Sequence, residues 1–247
     1  MTEAVPHGAV PHGAVPQEAA AHESVRNEPP PTAPHRPVRD RLEAIAAPLA
    51  LPNLDTDQIM PKQFLRGIDK AGLDKGLLYD LRYDASHQAR PDFILNRPAY
   101  RATEIIVGGS NFGCGSSREH AVWGLQQYGI KAIIASSFGE IFYSNAMNNR
   151  LLLVMLPEAQ VQAILADAAN PDTCVVTIDI GRMTVRSHSV TAPFTLSERH
   201  RRMFVEDLDM IGATLAMQEQ IRRFEERHWA RRPWLRDVGR TVRARLA

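Results

Sequence analysis

The chain has 247 residues, a formal charge of +1 at neutral pH and two cysteines. That length allows one large or two small domains, and a charge this close to neutral excludes a general nucleic-acid binder. Cys114 and Cys174 are too few and too far apart for a disulfide scaffold, or for a zinc or iron–sulfur site held by this chain alone.

The chain opens with the near-repeat "AVPHGAVPHGAVPQE" and the run "NEPPPTAPHRP", which hold almost no large apolar residue. Such composition cannot bury enough surface to offset its ordering entropy, so residues 1–40 are expected to be a disordered extension. It lacks the basic start and apolar core of a signal peptide. Its histidines read as a solvated tail, with weak metal binding as the other reading. No apolar run in the chain is long enough to span a membrane, so a soluble cytoplasmic protein is expected.

"RLEAIAAPLA" reads as a strand, and "LPNLDTDQIMPKQFL" reads as a turn-rich loop because of its Pro, Asn and Asp residues. Residues 67–98 are polar and mixed, with "NRP" as a stop. A regular pattern follows: "EIIVGG" strand, "REHAVWGLQQYG" helix, "KAIIASS" strand, "FGEIFYSNAMNN" helix, "LLLVML" strand, and "PEAQVQAILADAA" helix with Pro157 in its first turn. Short strands are expected in "CVVTIDI", "MTVRS" and "VTAPF". The stretch "SERHRRMFVEDLDMIGATLAMQEQIRRFEERH" reads as helix in two pieces, capped by Ser197 and broken near Gly212. The basic end, residues 229–247, reads as a solvated tail, with a docking arm as the alternative. Alternating strands and helices imply a partly parallel sheet with helices against it. The expected fold class is therefore α/β: a single domain with β additions.

One turn carries the chemistry. "GGSNFGCGSSREHA" lies between a strand end and a helix start, where unpaired N–H groups and the helix dipole favour negative charge. Glycines let the backbone approach a ligand closely and let successive N–H groups converge. Ser116 and Ser117 add hydroxyls, and Arg118 adds a fork suited to carboxylate or phosphate. The spacing fits neither a P-loop, nor the dinucleotide fingerprint, nor a hydrolase elbow. A tight turn with a serine cap on the next helix is the structural alternative.

"NFGCGSSREHAVWGL" resembles the signature of the small subunit of 3-isopropylmalate dehydratase, and more widely of the swivelling domain of the aconitase family. "NLDTDQIMPKQFL", "PDFILNRPAY", "SSFGEIFYSNAMNN" and "DLDMIGATL" resemble the same small subunit in the same order, so the likeness spans residues 42–226. It implies a single swivelling β/β/α domain like the mobile C-terminal domain of aconitase, over residues 41–228.

The resemblance also implies an activity: dehydration and rehydration that move a hydroxyl between neighbouring carbons of a malate derivative, in leucine biosynthesis. It implies a large subunit that bears a [4Fe-4S] cluster, with no cofactor in this chain, and a small dicarboxylate substrate. By place in the motif, Ser116 would abstract the carbon-bound proton as an alkoxide, and Ser117 and Arg118 would hold a substrate carboxylate. Asp57 matches an active-site aspartate, with an Asx-turn role as the other reading, which Asp55 fits better. Arg66, with Phe64 and Leu65, lies where the family carries its substrate-selecting loop. Cys114 is expected to be a small packed residue, and Glu119 and His120 to serve the helix start.

A serine alkoxide is demanding at neutral pH. Each pKa unit costs about 1.4 kcal/mol, while a helix N-terminus supplies about 0.3–1 kcal/mol, up to about 2 kcal/mol. Arg118, converging N–H groups and exclusion of water must add the rest. The run "GIDKAGLDKGLLYDLRYD" departs from the usual wording of such proteins. A citraconate/2-methylmalate or homoaconitate type therefore stays open as an alternative substrate class, and a non-catalytic anion-binding scaffold as an alternative function.

Overall fold

The computed structural model describes residues 37–65 and 71–246. The expected disordered extension therefore falls outside the described residues over positions 1–36, as does Arg66. Val38 is buried, and Arg39 pairs with Asp207.

Strand β1 (Arg41–Leu49) is followed by two short helices, α1 (Thr56–Ile59) and α2 (Tyr79–Arg82). The alternating region then delivers β2 (Thr103–Gly108), α3 (His120–Tyr128), β3 (Ala132–Ala135), α4 (Glu140–Asn148), β4 (Leu152–Met155) and α5 (Glu158–Ala169). Next come β5 (Val175–Asp179), β6 (Thr184–Arg186) and β7 (Thr191–Pro193). The C-terminal part is helical: α6 (Glu198–Val205), α7 (Met210–Leu215), α8 (Gln218–Arg231) and α9 (Val238–Leu246).

The strands form one seven-stranded sheet in the order β4-β3-β2-β1-β5-β6-β7. Pairings from β1 to β4 are parallel; those from β1 through β5 to β7 are antiparallel. The chemistry of the strands follows from this. The parallel strands β2 and β3 are apolar along nearly their whole length, Ile105, Ile106 and Val107 beside Ile133 and Ile134, because both faces are covered. The antiparallel β5 alternates, with Val176 and Ile178 buried while Val175 is exposed. The mixed α/β sheet with its β additions is the fold class the sequence implies.

Several local readings are corrected. "LPNLDTDQIMPKQFL" is not all loop: Asp55 caps α1 by accepting from the Gln58 amide at 2.7 Å, and Gln58 reaches back to the Asp55 amide at 3.1 Å. This reciprocal box satisfies two donors that a helix start leaves open. Pro157 is the N-cap of α5 rather than a first-turn residue. The long C-terminal stretch breaks at Asp207, whose φ is 56°, and not at Gly212. Asp209 restarts the chain as α7 by accepting from the Gly212 amide, so Gly212 sits inside a helix. Ser197 caps α6 as expected, accepting from the His200 amide. The basic end is helical in the last turn of α8, before Pro233, and in α9, after it.

Candidate active site

The glycine-rich loop after β2 is held on both sides by backbone pairing. On one side it meets the entry to α1: the Gly113 amide donates to Leu54 O at 2.7 Å, and the Thr56 amide to Cys114 O at 2.9 Å. On the other it meets the entry to α4, with Phe112 N donating to Ser137 O at 3.1 Å and Gly139 N to Phe112 O at 2.9 Å. The "DTDQ" segment and the serine loop, far apart in sequence, therefore lie edge to edge.

Two glycines make this approach possible. Gly113 has φ +74°, and a Cβ there would lie 2.3 Å from the Phe142 ring. At Gly139 a Cβ would lie 2.6 Å from Gly113 O. Both distances are shorter than any side chain tolerates, so the Gly113 backbone lies directly on the Phe142 ring and Gly139 touches the Gly113 backbone.

Ser116 is half-buried where the loop leaves this pairing. Its hydroxyl lies 2.9 Å from Thr56 Oγ1, and its amide donates to the same oxygen at 3.1 Å. Next to it, Arg118 Nη2 stands 2.5 Å from Asp57 Oδ1, and Lys62 Nζ 3.5 Å from Asp57 Oδ2. Asp57 Oδ1 nonetheless has no aligned hydrogen-bond donor, so the Arg118 contact is one of charge rather than a formed hydrogen bond. Ser117 is exposed, and its carbonyl accepts from Asn145 Nδ2 at 3.1 Å. Asn149, at the end of α4, donates to Glu119 Oε1 at 2.8 Å and accepts from Trp123 Nε1 at 3.1 Å.

The structure thus brings Ser116, Ser117, Arg118 and Asp57 into one neighbourhood. Phe64 and Leu65 are partly buried against the core; the Phe64 ring packs 4.9 Å from Tyr79 and over Gly76. Cys114 is half-buried, its thiol donating to Asn53 O at 3.3 Å. Neither serine caps the next helix: α3 begins at His120, with Glu119 as a cap whose side chain makes no capping bond to the helix. Because a helix dipole acts over its terminal turn only, Ser116 receives less from α3 than the sequence spacing suggests. Sequence reasoning also missed Thr56, Lys62, Asn145 and Asn149. Only Thr56 carried a local signal, since the Asp55–Gln58 box makes it the first helical residue.

Among the described residues, no group of three or more His, Cys, Asp or Glu is placed to hold a metal, and no helix is long and apolar enough to cross a membrane.

A parallel sheet widened by antiparallel strands, with a glycine–serine loop at the end of its second strand, defines a class. Residues 38–159 match the aconitase C-terminal domain, and residues 210–238 match the C-terminal domain of the 3-isopropylmalate dehydratase small subunit. The 3-isopropylmalate dehydratase small subunit 1 of Chromobacterium violaceum is 66% identical over 210 residues, covering 85% of this chain and 99% of that protein. The corresponding small subunit 2 of Salmonella typhimurium is 46% identical over 190 residues, with 77% and 91% covered. The crystal structure of 3-isopropylmalate dehydratase from Methanocaldococcus jannaschii aligns with a TM-score of 0.53 at 26% identity, over 75% of this chain and 99% of that one. The chain belongs to the 3-isopropylmalate dehydratase small-subunit family.

Proposed function

We propose that this chain is the small, catalytic-base subunit of a heteromeric 3-isopropylmalate dehydratase. With a large subunit it interconverts 2-isopropylmalate and 3-isopropylmalate in the cytoplasm, in leucine biosynthesis. The observation that carries this reading is the meeting of Ser116 with Thr56 and of Arg118 with Asp57 across two separate segments, in a chain 66% identical to a protein of that name. Residues 41–228 form the swivelling domain, flanked by an N-terminal extension and a basic C-terminal segment.

Each residue has a defined part. Ser116 Oγ takes the proton from the substrate carbon, the C–H electron pair becomes the C=C bond, and the hydroxyl leaves the adjacent carbon. Re-addition of that hydroxide to the carbon that lost the proton, with the proton returned from Ser116 to the carbon that lost the hydroxyl, completes the isomerisation. Arg118 and Ser117 hold a substrate carboxylate, Arg118 by its planar fork. Asp57 aims that fork from behind, at 2.5 Å. Phe64 and Leu65 border the substrate's alkyl group, and Arg66, next in the sequence, is assigned to substrate binding.

A [4Fe-4S] cluster belongs to the large subunit in this reading and supplies Lewis-acid polarisation of the leaving hydroxyl. In this reading the chain's own contribution is base, carboxylate clamp and exclusion of water.

The test is reconstitution. The purified chain is mixed under anaerobic conditions with its cluster-loaded large subunit and given 2-isopropylmalate, 2-methylmalate and homocitrate. Turnover selective for 2-isopropylmalate is expected; preference for either of the others moves the assignment to that substrate, and no turnover of any refutes a hydro-lyase.

A further inference from the structure

The Thr56 hydroxyl makes three contacts with a single residue. Its Oγ1 lies 2.9 Å from Ser116 Oγ, accepts from the Ser116 amide at 3.1 Å, and lies 3.3 Å from Ser116 O. Thr56 is only 3% exposed, so no water shell competes for its proton. Its own backbone is pinned, the amide donating to Cys114 O and the carbonyl accepting from the Met60 amide.

A threonine hydroxyl has one proton and two lone pairs. The Ser116 amide occupies one lone pair. The remaining proton has two acceptors within reach on Ser116, the carbonyl oxygen and the side-chain oxygen, and it can serve only one at a time. While Ser116 is protonated, its own O–H donates to the second lone pair of Thr56, and the Thr56 proton is directed to Ser116 O. Once Ser116 has lost its proton, its oxygen can only accept. The Thr56 O–H, already 2.9 Å away, then turns to it without any movement of the chain.

We propose that Thr56 is a positioning residue for the Ser116 base: it fixes the seryl rotamer and supplies a preorganised, buried hydrogen-bond donor to the oxygen when that oxygen is negative. The proposal rests on the reading of Ser116 as the proton-abstracting group. Thr56 itself gives up no proton; its O–H rotates between two acceptors as Ser116 titrates. The arrangement adds to the Arg118 charge a donor of the kind an oxyanion hole provides, fixed in place before the charge develops. It also compensates for the distance of Ser116 from the start of α3.

The test uses the chain assembled with its large subunit and three substitutions. Thr56→Val keeps the shape and removes the hydroxyl, Thr56→Ser restores the hydroxyl without the methyl, and Ser116→Ala removes the base. The expected result is a fall in kcat of roughly 10²-fold for Thr56→Val with KM changed by less than about threefold, as for loss of one donor that acts only on developing charge. Thr56→Ser is expected to keep kcat within about fivefold of the parent. In the Ser116→Ala background, Thr56→Val is expected to add no further loss, because the two residues act as one unit.

A readout independent of turnover is hydrogen exchange at the Ser116 amide in the isolated chain. It is expected to be fast in Thr56→Val and slow in both the parent and Thr56→Ser. Parent-like kcat in Thr56→Val, or a loss in Thr56→Ser as large as in Thr56→Val, overturns the proposal. Should Thr56→Val fail to fold, Thr56→Ala takes its place in both the kinetic and the exchange comparison. Full activity in Ser116→Ala would instead remove the base assignment itself, a separate outcome from parent-like Thr56→Val beside an inactive Ser116→Ala.

Discussion

Arg118 and Asp57 face each other across the two segments that build the site, with Nη2 and Oδ1 2.5 Å apart. Lys62 approaches the second oxygen of the same carboxylate at 3.5 Å. One carboxylate between two cations leaves a net positive charge, so the cluster is paired enough to be held in place yet still attracts an anion. Both side chains of the Arg118–Asp57 pair are partly exposed, which weakens the pair as a source of stability. In the proposed function its part is to aim the guanidinium.

From this follows the expected behaviour of Arg118→Lys. A lysine keeps the charge but loses the planar fork. A charge-assisted bond is worth about 1.5–3 kcal/mol, so KM for the dicarboxylate should rise roughly 10- to 100-fold, while the melting temperature changes little. Steady-state kinetics on the assembled enzyme, with thermal denaturation of the isolated chain, checks both parts. An unchanged KM would show that Arg118 does not meet the substrate.

Gly113→Ala is expected to damage the fold rather than the chemistry. The position has φ +74° and meets the Phe142 ring at 2.3 Å, so alanine adds backbone strain of about 1–3 kcal/mol to a steric clash. Urea denaturation should show the loss as a lower midpoint with an unchanged slope. A midpoint equal to the parent would mean that the loop at Gly113 is not packed against the Phe142 ring.

Asp167 makes the pH prediction. It is buried and accepts from Ser187 Oγ at 2.6 Å, the Ser189 amide at 2.8 Å and Ser189 Oγ at 2.8 Å, tying the turn between β6 and β7 to α5. Burial pushes its carboxyl up, but the Ser187 and Ser189 bonds and nearby His188 outweigh that and hold it below the usual carboxylate range. A depressed folded pKa means the stabilisation is present at pH above the unfolded value of about 3.9 and is lost as pH falls through the folded one. Asp167→Ala is expected to lower stability at pH 7 by about 1.5–3 kcal/mol. Its denaturation midpoint should also fall less than the parent's between pH 6 and pH 3. Equal pH slopes would show that the carboxylate is not what these serines bind.

The fold was largely legible in the sequence because its elements are local. The alternation of apolar runs with amphipathic stretches from Thr103 to Ala169 states its own periodicity, and Ser197 signals a helix start by its side-chain chemistry alone. The placement of β5 beside β1, antiparallel to it where β2 on its other edge is parallel, was not legible, because it depends on pairing between distant segments. The break at Asp207 was missed for a related reason. An aspartate with φ 56° is held there by Arg39 and Arg150, and neither is near it in sequence, whereas Gly212 offered a plausible local reason.

At the site, the loop's glycines, serines and arginine announced an anion cradle by residue type. What the loop rests on did not show. Thr56 reads as filler between two aspartates until the parallel bridge of Asp55 with Cys114 lays it against Ser116. Asn145 and Asn149 read as the tail of a helix, but they anchor Ser117 and Glu119.

Turnover of 2-isopropylmalate by the assembled enzyme carrying Ser116→Ala is the most direct measurement of the central claim. The account predicts a loss of kcat of roughly 10²- to 10⁴-fold, the span of a general base, with the large subunit still bound and KM little changed. Parent-like kcat in that variant would contradict it.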